Sequence, residues 1–183
     1  LSSTMGRSPA AFLDRDGVLN IDRGYVYRPQ DLEFTRTAVQ AVRLLNAAGY
    51  RVIVITNQSG VARGLFGEED VKLFHEHMNA VLADNAAHID DFYYCPFHPD
   101  GSVPRFATEH FDRKPQPGMI LRAMKEWSID VQRSFMIGDH PRDIAAAEAA
   151  GIAGILVDTN TCDLAATVRH ALASHAAPAG TRA

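Results

Sequence analysis

Ala10-Ala11-Phe12-Leu13 is a short apolar run that breaks off abruptly in Asp14-Arg15-Asp16-Gly17-Val18-Leu19-Asn20. A segment that is apolar at every position and then meets charge at once fits a parallel sheet covered on both faces. The same shape recurs down the chain. Arg51-Val52-Ile53-Val54-Ile55-Thr56 ends in Asn57-Gln58-Ser59-Gly60, Ser134-Phe135-Met136-Ile137 in Gly138-Asp139, and Gly154-Ile155-Leu156-Val157 in Asp158-Thr159. Between these runs the apolar spacing turns helical. Residues 36–48 carry Val39, Val42, Leu45 and Ala48, with Gly49 as a C-terminal cap. Residues 68–84 set Val71, Phe74, Met78, Val81 and Leu82 on one face. A third helix is expected over 117–127 behind Pro117, a fourth from Ala145 to Ala150 closed by Gly151, and a weaker fifth over 163–173. Strand alternating with helix predicts an α/β fold: a doubly wound, mostly parallel, Rossmann-like sheet with helices on both faces and no large cap domain. Ligands of such sheets bind outside the carboxyl ends of the strands.

Two stretches interrupt the alternation, one from Asn20 to Glu33 and one from Cys95 to Gln116; a strand at 89–94 leads into the second. Long connections inside a compact domain often serve as lids or binding loops. With 183 residues, 46% hydrophobic and 22% charged, the chain can build one compact core, expected over residues 9–174. Residues 1–8 and 175–183 are read as unstructured ends, with Met5 as the natural start and no apolar signal-peptide core ahead of it. The formal net charge of -4 and the lack of a basic stripe speak against a nucleic-acid binder. No run is long enough to span a membrane. Two distant cysteines, Cys95 and Cys162, point to a reducing cytoplasm rather than a disulfide framework.

Polar residues suited to phosphate chemistry sit at three of the strand ends. Asp14 and Asp16, two residues apart, can converge on one metal, and Gly17 lets the backbone turn sharply. Taken alone, the segment is as well read as a solvated turn. Thr56-Asn57-Gln58-Ser59-Gly60 offers a hydroxyl and amides to phosphate oxygens, or is ordinary turn chemistry. In Gly138-Asp139-His140-Pro141-Arg142-Asp143, Asp143 could be a helix N-cap, whereas Asp139 supplies a third acidic strand end and completes an oxygen site for Mg²⁺. Arg113-Lys114-Pro115 adds two positive charges ahead of the third helix.

The order of these elements, Asp-x-Asp, Thr, Lys and Gly-Asp-x-x-x-Asp, resembles the four motifs of the haloacid dehalogenase-like phosphatases. DRDGVLN, TNQSGVARG, RKPQPGM and GDHPRD are similar to the subgroup of heptose bisphosphate and histidinol-phosphate phosphatases, over roughly residues 10–158. The resemblance implies a Mg²⁺-dependent phosphatase in which Asp14 attacks phosphorus. Asp16 would protonate the leaving alkoxide and then activate water. Mg²⁺ would be held by the Asp14 carboxylate, the Asp16 main-chain carbonyl and Asp139. Thr56 would bind the transferring phosphoryl group, Lys114 neutralise it, and Arg113 hold the substrate, with Asn57, Gln58 and Ser59 beside them. Asp143 would support the site from behind, and His140 stands where the heptose enzymes commonly have Lys. The loop Asn20–Val26 matches their substrate loop, so Asp22, Arg23, Gly24 and Tyr25 are expected to contact the sugar or a second phosphate, with Arg63 a further candidate.

Relatives in this subgroup often carry a structural zinc in the second long loop, on Cys-x-His and Cys-x-Cys pairs. Those positions are Cys95, Phe97, His110 and Asp112 here. A one-residue shift to His98 would restore four possible ligands, but Phe97 argues for loss of the zinc, with Pro96, Phe97, Pro99 and Pro104 ordering the loop by packing instead. The reading that results is a small-molecule phosphatase, monomeric or a small homo-oligomer, with a heptose bisphosphate as substrate. Its alternatives are a histidinol-phosphate phosphatase, a non-enzymatic phospho-acceptor of the response-regulator type, and an inert binding protein. Asp16, two residues past the acceptor Asp14 and able to activate water, argues against the phospho-acceptor, and the full set Asp14, Asp16, Thr56, Lys114 and Asp139 argues against the inert protein.

Overall fold

The computed structural model describes residues 6–176. Five strands form one parallel sheet: β1 (Ala10–Leu13), β2 (Arg51–Asn57), β3 (Asp91–Cys95), β4 (Phe135–Gly138) and β5 (Ala153–Leu156), in the order β3-β2-β1-β4-β5. Five helices connect them: α1 (Ala38–Ala47), α2 (Glu68–Asp84), α3 (Gly118–Glu126), α4 (Pro141–Ala149) and α5 (Leu164–Ser174). The expected doubly wound α/β architecture is therefore present.

Alternate residues of each strand point to opposite faces, and the core divides accordingly. Ala11, Leu13, Val52, Val54, Phe135 and Ile137 face one layer with Ala41 and Leu45 of α1, Phe74 and Met78 of α2 and Val168 of α5. Ala10, Phe12, Ile53, Ile55 and Met136 face the other, with Ile120 and Ala123 of α3 and Ala146 and Ala147 of α4. The central strands are buried from both sides, which is why β1 and β2 read as unbroken apolar runs. A third, smaller cluster lies beneath the two long loops. It joins Val61, Phe66, Val71 and Phe106 to Tyr27 of the first loop and Phe97 and Val103 of the second.

Most element ends lie within two residues of expectation. Gly49 (φ +76°) and Gly151 (φ +81°) turn the chain after α1 and α4, as their placement suggested. The exception is α4, which starts four residues ahead of the expected Ala145. His140 is its N-cap, accepting from Arg142 N at 3.2 Å, while Asp143 in the third helical position accepts from His140 N at 3.0 Å. The reciprocal pair is a capping box, so Asp143 lies three residues past the cap, inside the first turn.

At the N-terminal end, Ser8 bridges Ile129 and accepts from Asp130 N at 2.8 Å, so ordered chain begins ahead of residue 9. At the other end His175 packs against Phe135. The expectation of unstructured ends otherwise falls on residues 1–5 and 177–183, outside the described residues. Among the described residues no helix is long and apolar enough to cross a membrane.

Leu45 is wholly buried where α1 meets the sheet. Leu45→Ala should lower stability by about 2–5 kcal/mol, lost burial and residual cavity together, read as a drop in the denaturant midpoint of purified protein.

Candidate active site

The strand order reverses at β1, whose neighbours are β2 on one side and β4 on the other. That point is where doubly wound sheets leave a crevice at their carboxyl ends. Asp14 emerges there from β1, with its N–H on Ile137 O of β4 at 3.0 Å. Thr56 lies at the end of β2, and Asp139 follows β4. Lys114 enters from the loop before α3 and is 1% exposed. Its Nζ donates to Asp14 Oδ1 at 2.9 Å and to Ile55 O at 2.8 Å, and forms an ion pair with Asp143 Oδ1 at 2.7 Å.

One oxygen from each of Asp14, Asp139 and Asp143 lies within 4.8 Å of the other two. Three carboxylates therefore share a small volume with one ammonium. Burial raises the Asp14 carboxyl well above the ordinary carboxylate range; Lys114 opposes the shift, and the charges of Asp143 and Asp139 add to it. Burial would depress the Lys114 ammonium, but Asp14 and Asp143 outweigh it and hold its pKa above the usual lysine value. The cluster is thus short of positive charge, and its donors are all oxygen. That combination fits a hard divalent cation.

Gly17 keeps the site compact. It has φ +85°, and a Cβ there would run into Asp139 Oδ2. Asp139 Oδ2 accepts in turn from Thr159 Oγ1 at 2.8 Å. Around the carboxylates opens a cleft of about 480 Å³, lined by Asp16, Asp22, Gly24, Tyr25, Thr56, Asn57, Gln58, Ser59, Arg63, His98, Arg113, His140, Arg142 and Thr159 besides Asp14, Lys114 and Asp139. One wall is basic. Arg63 Nη2 lies 3.4 Å from His98 Nε2, and burial followed by the charges of Arg113 and Arg63 holds His98 below its ordinary pKa.

Residues 111–179 match the HAD-hydrolase-like family model. A relative from Rhodopseudomonas palustris, D-glycero-beta-D-manno-heptose-1,7-bisphosphate 7-phosphatase, is 48% identical over 166 residues, covering 90% of this chain and 91% of its own. The chain belongs to the haloacid dehalogenase-like phosphatases. The enzyme of the same name from Escherichia coli is 45% identical over 144 residues, 79% of this chain and 75% of its own. Among solved structures, the D,D-heptose 1,7-bisphosphate phosphatase of B. bronchiseptica, complexed with magnesium and phosphate, superposes with a TM-score of 0.78 at 32% identity, covering 91% of this chain and 99% of that one. A had-like phosphatase from Mesorhizobium loti gives 0.84 at 32% identity, with 94% and 89% covered.

In this haloacid dehalogenase-like phosphatase most of the site residues expected from sequence do gather in the cleft. Gln58 Nε2 donates to Asp16 Oδ2 at 3.0 Å and to Thr56 Oγ1 at 2.8 Å. Asn57 is spent on the chain itself: its amide exchanges bonds with the Lys114 backbone at 3.0 and 3.1 Å, so it shapes the Lys114 loop. Arg23 does not line the cleft. It pairs with Glu33 on the exposed outer side of the first loop, since a long charged side chain reaches a carboxylate across the loop more readily than it turns inward.

The four zinc candidates do not converge; the one cluster of such ligands among the described residues is the carboxylate triad. The Cys95 thiol is turned to Phe97 O, and burial pushes its pKa up to about 11. His98 belongs to the cleft, His110 stacks on Phe97 at 4.2 Å, and Asp112 accepts from Arg122 at 2.7 Å. Aromatic packing orders this loop.

Three neighbours of the site had no clear sequence signal. Asn160, just past β5, accepts from Asp22 N at 2.7 Å and donates to Asp22 O at 3.0 Å, pinning the first loop. Arg15 and His75, both buried, stand behind Asp16. A side chain at Gly17 would displace Asp139 and be forced into a left-handed conformation costing about 1–2 kcal/mol. Gly17→Ala should therefore fold, yet show less of the melting-temperature rise that a divalent cation gives the EDTA-treated wild type. An unchanged rise would separate Asp139 from cation binding.

Proposed function

We propose that this phosphatase removes the 7-phosphate of D-glycero-D-manno-heptose 1,7-bisphosphate and leaves the 1-phosphate in place. The observation that carries the reading is the convergence of Asp14, Thr56, Lys114 and Asp139 in one cleft that the Asp22–Tyr25 loop and Arg113 also line. Relatives named for that activity, aligned over 79–90% of the chain, support the choice of sugar. The same reading takes residues 9–174 as one phosphatase domain acting in the cytoplasm on a small phosphorylated metabolite.

In the proposed reaction an Asp14 oxygen attacks phosphorus, and the bond to the sugar oxygen breaks. The proton of Asp16 passes to that leaving oxygen, so no free alkoxide is expelled. The product of this half is an aspartyl phosphate. Asp16, now ionised, takes a proton from water as the water attacks phosphorus, and inorganic phosphate leaves with Asp14 restored. Lys114, fixed against Asp14, neutralises charge on the transferring group, and the Thr56 hydroxyl binds one of its oxygens. Mg²⁺ would be held by the Asp14 carboxylate, the Asp16 main-chain carbonyl and Asp139, and when bound it offsets the repulsion between an anionic nucleophile and an anionic phosphate. Asp143 keeps Lys114 in place.

The basic wall supports a second anion on the substrate. Arg113 carries a buried Nε with no partner, and neither Arg113 nor Arg63 forms an ion pair among the described residues. Asp14→Asn should abolish phosphate release, because an amide is a poor nucleophile; Lys114 keeps Asp143 as a partner, so the variant should fold with lowered stability. Asp16→Asn should lose about 10²–10⁴-fold in turnover with little change in Mg²⁺ affinity; recovery at high Mg²⁺ would contradict its role in proton transfer.

Arg113→Ala should depress turnover of the heptose bisphosphate far more than that of a generic aryl phosphate. Equal losses on the two substrates, or a preference for histidinol phosphate in a substrate panel, would overturn the heptose assignment and leave the phosphatase assignment standing.

A further inference from the structure

Arg15 lies between the two aspartates of the first strand end, and no step of the proposed reaction uses it. Its side chain is wholly buried. A buried guanidinium carries five donors and one charge, so it persists only where acceptors are supplied. Here Nε and Nη2 donate to Asp16 Oδ1 at 3.1 and 3.0 Å, and Nη2 reaches Oδ2 at 3.2 Å. Nη2 also donates to Val26 O at 2.7 Å. On the far side Nη1 lies 3.2 Å from His75 Nε2, and the guanidinium carbon sits 4.5 Å from the centroid of Phe74.

A guanidinium can only donate, so Nε2 of His75 accepts and the ring carries its proton on Nδ1. Burial, with the Arg15 charge adding to it, pushes His75 down to about 2, and the ring stays neutral. It is clamped by stacking on Phe92 at 4.4 Å and by the edge of Tyr94 at 6.2 Å. His75 is thus a rigid neutral acceptor at the back of Arg15. The front is rigid too. Asp16 Oδ1 takes a third donor from Asn20 Nδ2 at 3.1 Å. Oδ2 accepts from Gln58 Nε2 at 3.0 Å as well as from Arg15 Nη2, so both carboxyl oxygens are held in place.

We propose that Arg15, seated on His75, is a positioning residue that holds the Asp16 carboxyl in one orientation for proton transfer and, through the Val26 carbonyl, ties that orientation to the Asp22–Tyr25 substrate loop. The proposal rests on the reading of Asp16 as the proton donor. A general acid must point its proton at the leaving oxygen, and an error of about 1 Å can cost about 10²-fold. α2 therefore takes part in the reaction through a side chain that touches neither substrate nor cation.

The test compares kcat/KM on two substrates in the full chain, since this ratio reports only the steps through departure of the leaving group. The heptose bisphosphate has an alkoxide leaving group that needs the proton; p-nitrophenyl phosphate has a phenolate that does not. His75→Leu removes the acceptor at similar volume and should cut the alkyl ratio by about 10-fold or more, with the aryl ratio within about twofold. His75→Gln, which returns an acceptor oxygen, should recover most of the loss. If His75→Leu does not fold, His75→Asn against His75→Gln repeats the comparison with one amide at two lengths.

Equal losses on both substrates, or no rescue by Gln, would overturn the proposal. Asp16→Asn is measured alongside. If it loses the alkyl ratio selectively while the His75 variants do not, the positioning role alone falls. If Asp16→Asn shows no selectivity, the proton-donor reading falls and takes the proposal with it.

Discussion

The buried ammonium of Lys114 holds the site together. It is set between Asp14 at the end of β1, the Ile55 carbonyl of β2 and Asp143 in the first turn of α4. Removing one partner of such a pair leaves a buried charge unopposed, at a cost of about 3–5 kcal/mol. Other features follow from keeping this contact short. Gly138 must be glycine because a Cβ there would collide with the Asp143 side chain. The Asn57 amide, bonded both ways to the Lys114 backbone, fixes the loop that delivers the ammonium. Two carboxylates on one lysine and a third beside them leave negative charge in the cleft that a divalent cation would offset.

Much of this could be read from the chain. Asp14, Asp16, Thr56 and Asp139 were legible because each ends or follows an apolar run, and a strand end in a doubly wound sheet can point to only one crevice. The helix at 68–84 was legible to the residue because its apolar face is strongly periodic. The start of α4 was not, because Ala145-Ala146-Ala147 gives little contrast between faces and histidine is an unusual cap. Arg23 shows the limit for charges: its sign was visible, but its partner Glu33 is a matter of loop shape. Arg15 and His75 were hidden for a related reason, since their bond joins a strand end to the middle of a helix.

Aromatic stacking holds the second long loop. Phe97 stacks on His110 and meets the edge of Phe106 at 5.6 Å. Aromatic pairs of this kind add about 0.5–1.5 kcal/mol each beyond the area they bury. His98 of the same loop faces the cleft beside Arg63, so the packing that holds the loop also sets what lines the cleft.

Tyr27 of the first loop stacks on Phe66 at 4.9 Å, and both share one apolar cluster with Phe97 and Phe106 of the second. The two walls of the cleft therefore rest on a common foundation. A residue exchanged in one wall shifts the support of the other, so substrate preference in this scaffold cannot drift one loop at a time. Transplanting either loop from a relative would import half of a mated pair, and the foreign half would meet aromatic faces shaped for its lost counterpart. Diversification along this branch should accordingly leave a record of paired exchanges across the cleft, with the aromatic residues beneath changing in step with the polar ones above.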